Sequence, residues 1–318
     1  MSEMTKRERI KAAVAGEPVD RVPFSFWYHF LDVEDKAGEE FIAAEIAFAT
    51  KYDVDFLKVM HDLPYDMPES MPVIREPGDW RRLEPLDPRQ GNFGRHLEAL
   101  RRIRAGLPDD RPMVDTFFHC FAYGQRLCPE RPLVMEHLAK DPEAVAYGMT
   151  VIGETLKRFA RACLEEGVLD GIFLAINAIS QDFMDEATYE RIFRPVDEAV
   201  LAAAMKDGWF NVAHLHGLSI FFDSGASLPH SVLNWSDRTT APSLAEARKK
   251  ISSCLMGGIN EVTAAEVTPA GIKSEVRDAI EQTGGAKFIV TCGCAVPTPT
   301  PEANLFAVKE AIPGAASA

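Results

Sequence analysis

The chain has 318 residues, 47% of them hydrophobic and 26% charged, and its formal net charge is −14. This composition supports a globular fold, and the negative field repels polyanions, so no nucleic-acid partner is expected. No apolar run reaches the roughly 20 residues that span a bilayer, so no membrane association is expected.

The opening stretch "MSEMTKRERIKAAVAGEP" is charged and lacks an apolar signal core, which predicts a cytoplasmic protein. In that compartment the six cysteines read as thiols or metal ligands rather than disulfides. Residues 4–15 read as a first helix. Eight apolar, β-rich runs follow: 22–27, 56–60, 112–118, 171–176, 210–216, 231–236, 253–259 and 288–294. Their continuous apolar character suits parallel strands buried on both faces. Between the first two runs nothing resembles the Gly-rich turn of a doubly wound sheet. The stretch 62–96, rich in Pro, Arg and Asp, is expected to cross over the mouth of the fold.

Helices lie between the later runs. Over 142–166, Val145, Met149, Ile152, Leu156, Phe159 and Cys163 recur at helical spacing, and Gly167 ends the pattern. Pro195 should kink or split a helix beginning near Glu186. "SLAE" (243–246) reads as a capping box. Thr268-Pro269 and Thr300-Pro301 each read as an N-cap followed by the first helical residue, and Gly284-Gly285 as a helix stop. Eight strand–helix units predict a (β/α)₈ TIM barrel of the α/β class, a single domain over 1–318, with the first helix capping its base.

In a strand, residues two apart share a face. His214 and His216 therefore project together near one strand end, and Cys292 and Cys294 near another. Two imidazoles and a thiolate can bind Zn²⁺ and leave a fourth position free. The same residues also fit a polar interior of hydrogen-bonded histidines and inert thiols. Trp27, Tyr28, Lys58, Asn177 and Asn234 lie at strand ends and are candidates for binding substrate. Lys58 could hold an anionic group or pair with Asp115, and Asn234 could instead orient a histidine. His119 and Asp237 are candidate proton donors or acceptors.

Three segments carry a family resemblance: "RIKAAVAGEPVDRVPF", "DEATYERIFRPVDEAV" and "GCAVPTPTPEANLFAVKEA". The chain resembles the uroporphyrinogen decarboxylase superfamily across nearly its full length, which also implies a (β/α)₈ barrel. Where decarboxylases of that family carry arginines for substrate carboxylates, this chain has "SFWYHFLD", and no arginine occurs between Arg21 and Arg75. The resemblance is nearer to the corrinoid-linked branch, of methylcobamide:coenzyme M methyltransferase type. That branch's His-x-Cys and distant Gly-Cys fall on His214, His216 and Cys294, with His216 in place of the cysteine. Cys292 is the alternative thiol ligand. The resemblance implies a zinc-dependent methyltransferase or demethylase acting on a small-molecule substrate, with a corrinoid on a partner protein as methyl carrier and a homodimer as an admissible assembly. The alternatives are a metal-free lyase that decarboxylates a small acid, and a barrel that binds a tetrapyrrole or corrinoid partner without catalysis.

Overall fold

The computed structural model describes residues 2–314. Seven parallel strands form one sheet: β1 (Leu57–Val59), β2 (Met113–Phe118), β3 (Gly171–Ile176), β4 (Val212–Leu215), β5 (Val232–Trp235), β6 (Cys254–Ile259) and β7 (Phe288–Cys292). Each strand pairs with its neighbours in sequence. Nearly every strand residue is buried, as expected of parallel strands covered on both faces. Seven of the eight apolar runs therefore became strands.

The exception is the first run, 22–27, which contributes a single bridge from Phe24 to Val290. It still lies between the sheet's two edge strands. Ser25 N–H donates to Val290 O (3.0 Å), and Asp55 N–H, just before β1, donates to Phe24 O (2.9 Å). A regular ladder fails there for two reasons. Pro23 has no N–H to give. The Phe24 N–H donates to the Asp55 carboxylate (2.9 Å) instead of a strand carbonyl.

The first helix is Lys6–Ala15, opened by a Thr5–Glu8 capping box. Its Arg7 and Arg9 reach Asp170, Asp110 O and Asp55, all of which precede strands. The long helix Pro142–Glu165 buries all six residues of the expected stripe, and the Asp141 side chain accepts from Ala144 N–H at its start. Near Pro195 the expected break takes the form of a π-turn over Tyr189–Phe193, followed by the helix Arg194–Ala204. Ser243 and Thr268 cap as read, and Gly284 adopts the left-handed C-cap conformation. The last helix, Glu302–Ala311, starts one residue later than expected. Pro301 takes the cap position and the Thr300 hydroxyl is left without a partner.

The 62–96 stretch runs elsewhere than expected. Trp80, fully buried, donates its indole N–H to His137 Nδ1 (3.1 Å) and packs on Gly124 and Gly148. His137 Nε2 in turn donates to Arg75 O (3.1 Å). An apolar indole pinned in this way holds the middle of the stretch against the outer helices, and no residue of 62–96 lines the cavity at the strand ends. No described helix is long and apolar enough to cross a membrane.

Candidate metal centre and its cavity

At the C-terminal ends of the strands lies a cavity of about 600 Å³. Its walls follow from strand alternation and register. Lys58 and Met60 project inward from β1 and its end, Thr116 and Phe118 from β2, and Phe173, Ala175 and Asn177 from β3 and its end. Trp27 and His29 close one side. Gln125, Arg126, Arg131 and Met135, all following β2, take the covering place expected of 62–96.

His214, His216 and Cys294 converge at one end of this cavity. One ligand atom from each lies within 4.8 Å of the others. Register explains His214. It pairs with Ala175 on one side and Asn234 on the other, so Asn234 stands beside it on the same face. Asn234 Nδ2 donates to Met256 O (2.9 Å) and Cys292 O (3.3 Å), which fixes the amide with Oδ1 toward the imidazole. His214 Nδ1–H donates to that oxygen (2.6 Å). Nε2 is thereby turned toward Cys294 and the cavity end.

Cys294 Sγ lies 3.7 Å from His216 Nδ1. Burial would raise the Cys294 thiol, but the hydrogen bond and charge of His214 outweigh it and hold the thiol below its ordinary value. Desolvation lowers His216, partly offset by Glu261 and Asp182, which favours the neutral imidazole that binds metal. Cys292 is fully buried, and burial pushes its thiol up.

Two glycines make this end possible. Gly217 has φ +141°, and a Cβ there would stand 2.5 Å from the Ser180 side chain. At Gly293 a Cβ would meet Ser236 Cα at 2.5 Å and Glu261 Oε2 at 2.7 Å. The strand ends can therefore close on one another only with glycine beside His216 and Cys294. Two imidazoles and one low-lying thiol form a donor set suited to Zn²⁺, and the cavity side is left for a fourth ligand. The residues present fit that ion.

The other sequence candidates divide. Trp27, Lys58 and Asn177 line the cavity. Tyr28 does not: its ring packs against Phe30 and Phe48. Asn234 sits behind His214 and positions it. His119 corrects the expectation of an acid–base group. Its Nδ1 lies 3.2 Å from Phe121 N at the start of the next helix, and its Nε2 meets Asp197 Oδ1 at 2.6 Å, away from the cavity. Asp237 likewise lies outside the cavity. Its Oδ1 accepts from Gly258 N–H (2.8 Å) and fills the space above Gly257. Asp115 pairs with His96 (2.9 Å) and not with Lys58, because it faces the outer helices. His61, His96 and Asp115 form a second cluster of possible ligand atoms, fully buried, with the two imidazoles stacked at 3.9 Å.

Two residues of the site were not singled out from sequence. Phe173 stacks on His214 (5.2 Å between centroids). Glu261, two residues beyond β6, is buried at the rim beside His216 and Cys294, with Oε2 unpartnered. A carboxylate placed just past a buried strand was the available signal for it.

A family model described as uroporphyrinogen decarboxylase (URO-D) matches residues 60–314. The chain belongs to the uroporphyrinogen decarboxylase family. No curated protein matches it in sequence. Among solved structures, a methyltransferase from Methanosarcina mazei is similar over 97% of this chain and 98% of its own, with TM-score 0.77 and 20% identity. A B12-independent methionine synthase from Shewanella sp. W3-18-1 is similar over 69% of this chain and 65% of its own, with TM-score 0.51 and 12% identity. At these identities the likeness is one of fold.

Proposed function

We propose that the protein moves a methyl group between a small molecule in the cavity and a corrinoid carried by a partner protein, with Zn²⁺ held by His214, His216 and Cys294. The observation that carries this reading is the convergence of two imidazoles and one thiol at the end of a cavity of small-molecule size. Bound there, Zn²⁺ would supply Lewis acidity toward the heteroatom that gives up or receives the methyl group. Asn234 keeps the His214 ring turned to present Nε2. Trp27, Phe118 and Phe173 line the cavity with apolar surface that excludes water from the small molecule. One thiolate and two neutral donors leave Zn²⁺ with a net positive charge. This favours activating a methylated donor for demethylation over enriching a thiolate for attack. The whole chain acts as one domain in this reading.

The metal-free lyase reading loses support from geometry, because its proton donors, His119 and Asp237, lie outside the cavity. Metal analysis of protein purified without a histidine tag tests the reading. Near-stoichiometric zinc is expected, lost together with methyl transfer in His216→Ala and Cys294→Ser, with little change in melting temperature. Full zinc occupancy in His216→Ala would remove His216 from the ligand set. Assays with and without a methylated corrinoid distinguish corrinoid-linked transfer from corrinoid-free transfer.

A further inference from the structure

Lys58 is buried, with 4% of its surface exposed, yet it lines the cavity. Its ammonium has three hydrogens to donate. Its one hydrogen bond among the described residues goes to the Met60 thioether (2.9 Å), a weak acceptor. No carboxylate lies within ion-pair distance of it among those residues. Asp62 is taken by His29 (2.8 Å) and Asp115 by His96 (2.9 Å). What surrounds the charge instead is aromatic. Nζ stands 4.6 Å from the Phe173 ring centre and 5.1 Å from that of Trp27. These ring faces offset part of the cost of burying a cation but do not neutralise it. Desolvation lowers Lys58 to about 8, so much of the population still carries the charge at neutral pH.

The rest of the cavity shares this sign. Arg126, whose guanidinium lies 4.3 Å from the Phe118 ring centre, and Arg131 stand at its exposed rim. Neither has an ion-pair partner among the described residues. The lining carboxylate, Asp182, is engaged with Leu218 N–H (2.7 Å). A protein of net charge −14 thus keeps a cavity of locally positive character.

We propose that Lys58 is an oxyanion-binding subsite, so that the small molecule of this cavity is an organic acid, its carboxylate or sulfonate seated on Lys58. Phe173 fixes the scale. The Lys58 ammonium lies over the same ring that stacks on His214. A compact acid therefore reaches from Lys58 to the His214–His216–Cys294 end with its body against Trp27 and Phe173. The seating of a reacting heteroatom at that end rests on the proposed methyl-transfer site; the oxyanion subsite itself does not.

The test uses full-length protein freed of metal, so that failure of the zinc reading leaves it intact. Calorimetry compares benzoate and benzenesulfonate with benzamide, which has nearly the same shape and no charge. Benzoate or benzenesulfonate should bind about ten- to a hundredfold tighter than benzamide, as one charge-assisted hydrogen bond in a buried site provides. The arm that binds tighter names the acid class. Lys58→Met should abolish the preference. Equal binding of all three, or a preference retained in a folded Lys58→Met protein, overturns the proposal. Should Lys58→Met not fold, wild-type protein labelled with ¹³C at the lysine ε carbons decides. Benzoate, and not benzamide, must shift the one signal that Lys58→Arg removes; an unmoved signal overturns the proposal.

Discussion

Asn234 is the residue on which the geometry of the proposed metal end turns. It spends both amide hydrogens on backbone carbonyls of β6 and β7 and offers its one oxygen to His214. Such a partner sets ring orientation and tautomer, and its loss typically costs 10- to 100-fold in metal affinity. Asn234→Ala should weaken zinc binding by about that factor, measured by competition with a chromophoric chelator. Unchanged affinity would show that the His214 ring is held by its packing on Phe173 alone. The same residue illustrates what sequence can reach. Its place at a strand end made it a candidate either for substrate or for orienting a histidine. Only the register, which sets it directly beside His214, chooses between the two.

Among elements, the pair His119–Asp197 ties the end of β2 to the helix Arg194–Ala204. Tyr189 O–H also donates to Asp197 (3.0 Å), so the π-turn is held by the same carboxylate. Burial by itself would lower His119, but Asp197 and Cys120 raise it to about 10. The folded value thus exceeds the unfolded one, near 6.5. The stability this pair contributes is full below pH about 6.5 and is lost as pH rises toward about 10. Asp197→Asn leaves the imidazole buried without its charge partner. Such a change costs about 3–5 kcal/mol when one member of a buried pair is removed. Urea unfolding at pH 6 and pH 9.5 should show wild type losing more stability with rising pH than Asp197→Asn. Parallel losses in both proteins would mean that the pair does not carry the linkage. From sequence, His119 after an apolar run had the same appearance as a catalytic base; its direction, outward into the helices, depends on where the chain leaves the strand.

At the scale of the whole molecule, the seam between β1 and β7 depends on Asp55. This fully buried carboxylate accepts from Arg9 (2.7 Å), Arg21 (2.6 and 2.9 Å) and Phe24 N–H (2.9 Å). It joins the first helix, the 22–27 segment and the approach to β1. Asp55→Asn cannot satisfy two guanidinium groups, and about 3–5 kcal/mol of destabilisation is expected by denaturant titration. A loss below about 1 kcal/mol, the value of an exposed pair, would show that water compensates the arginines. The cavity also bears on the family's namesake reaction. A substrate with many carboxylates needs many cations, and Lys58 is the only buried cation among the residues lining this cavity. The purified protein should therefore not decarboxylate uroporphyrinogen, as chromatography of the products would show; efficient turnover would refute this.

The sequence by itself determined the elements that rest on local patterns. Seven strands, the long helix 142–165, the caps at Ser243 and Thr268 and the stop at Gly284 all follow from apolar runs and terminal residue chemistry. The pairing of His214 with His216 on one face follows from strand alternation, and the family segments pointed to Cys294 as their companion. Tertiary structure decided the rest, because the deciding partner in each case is distant in sequence. Asp55 takes the Phe24 N–H and interrupts the eighth ladder. His137 holds Trp80 against the outer helices, and the 62–96 stretch does not line the cavity. Asp197 removes His119 from the chemistry. Lys58 is left without an ion-pair partner because Asp62 and Asp115 are held by histidines and Glu45 by Met60 N–H.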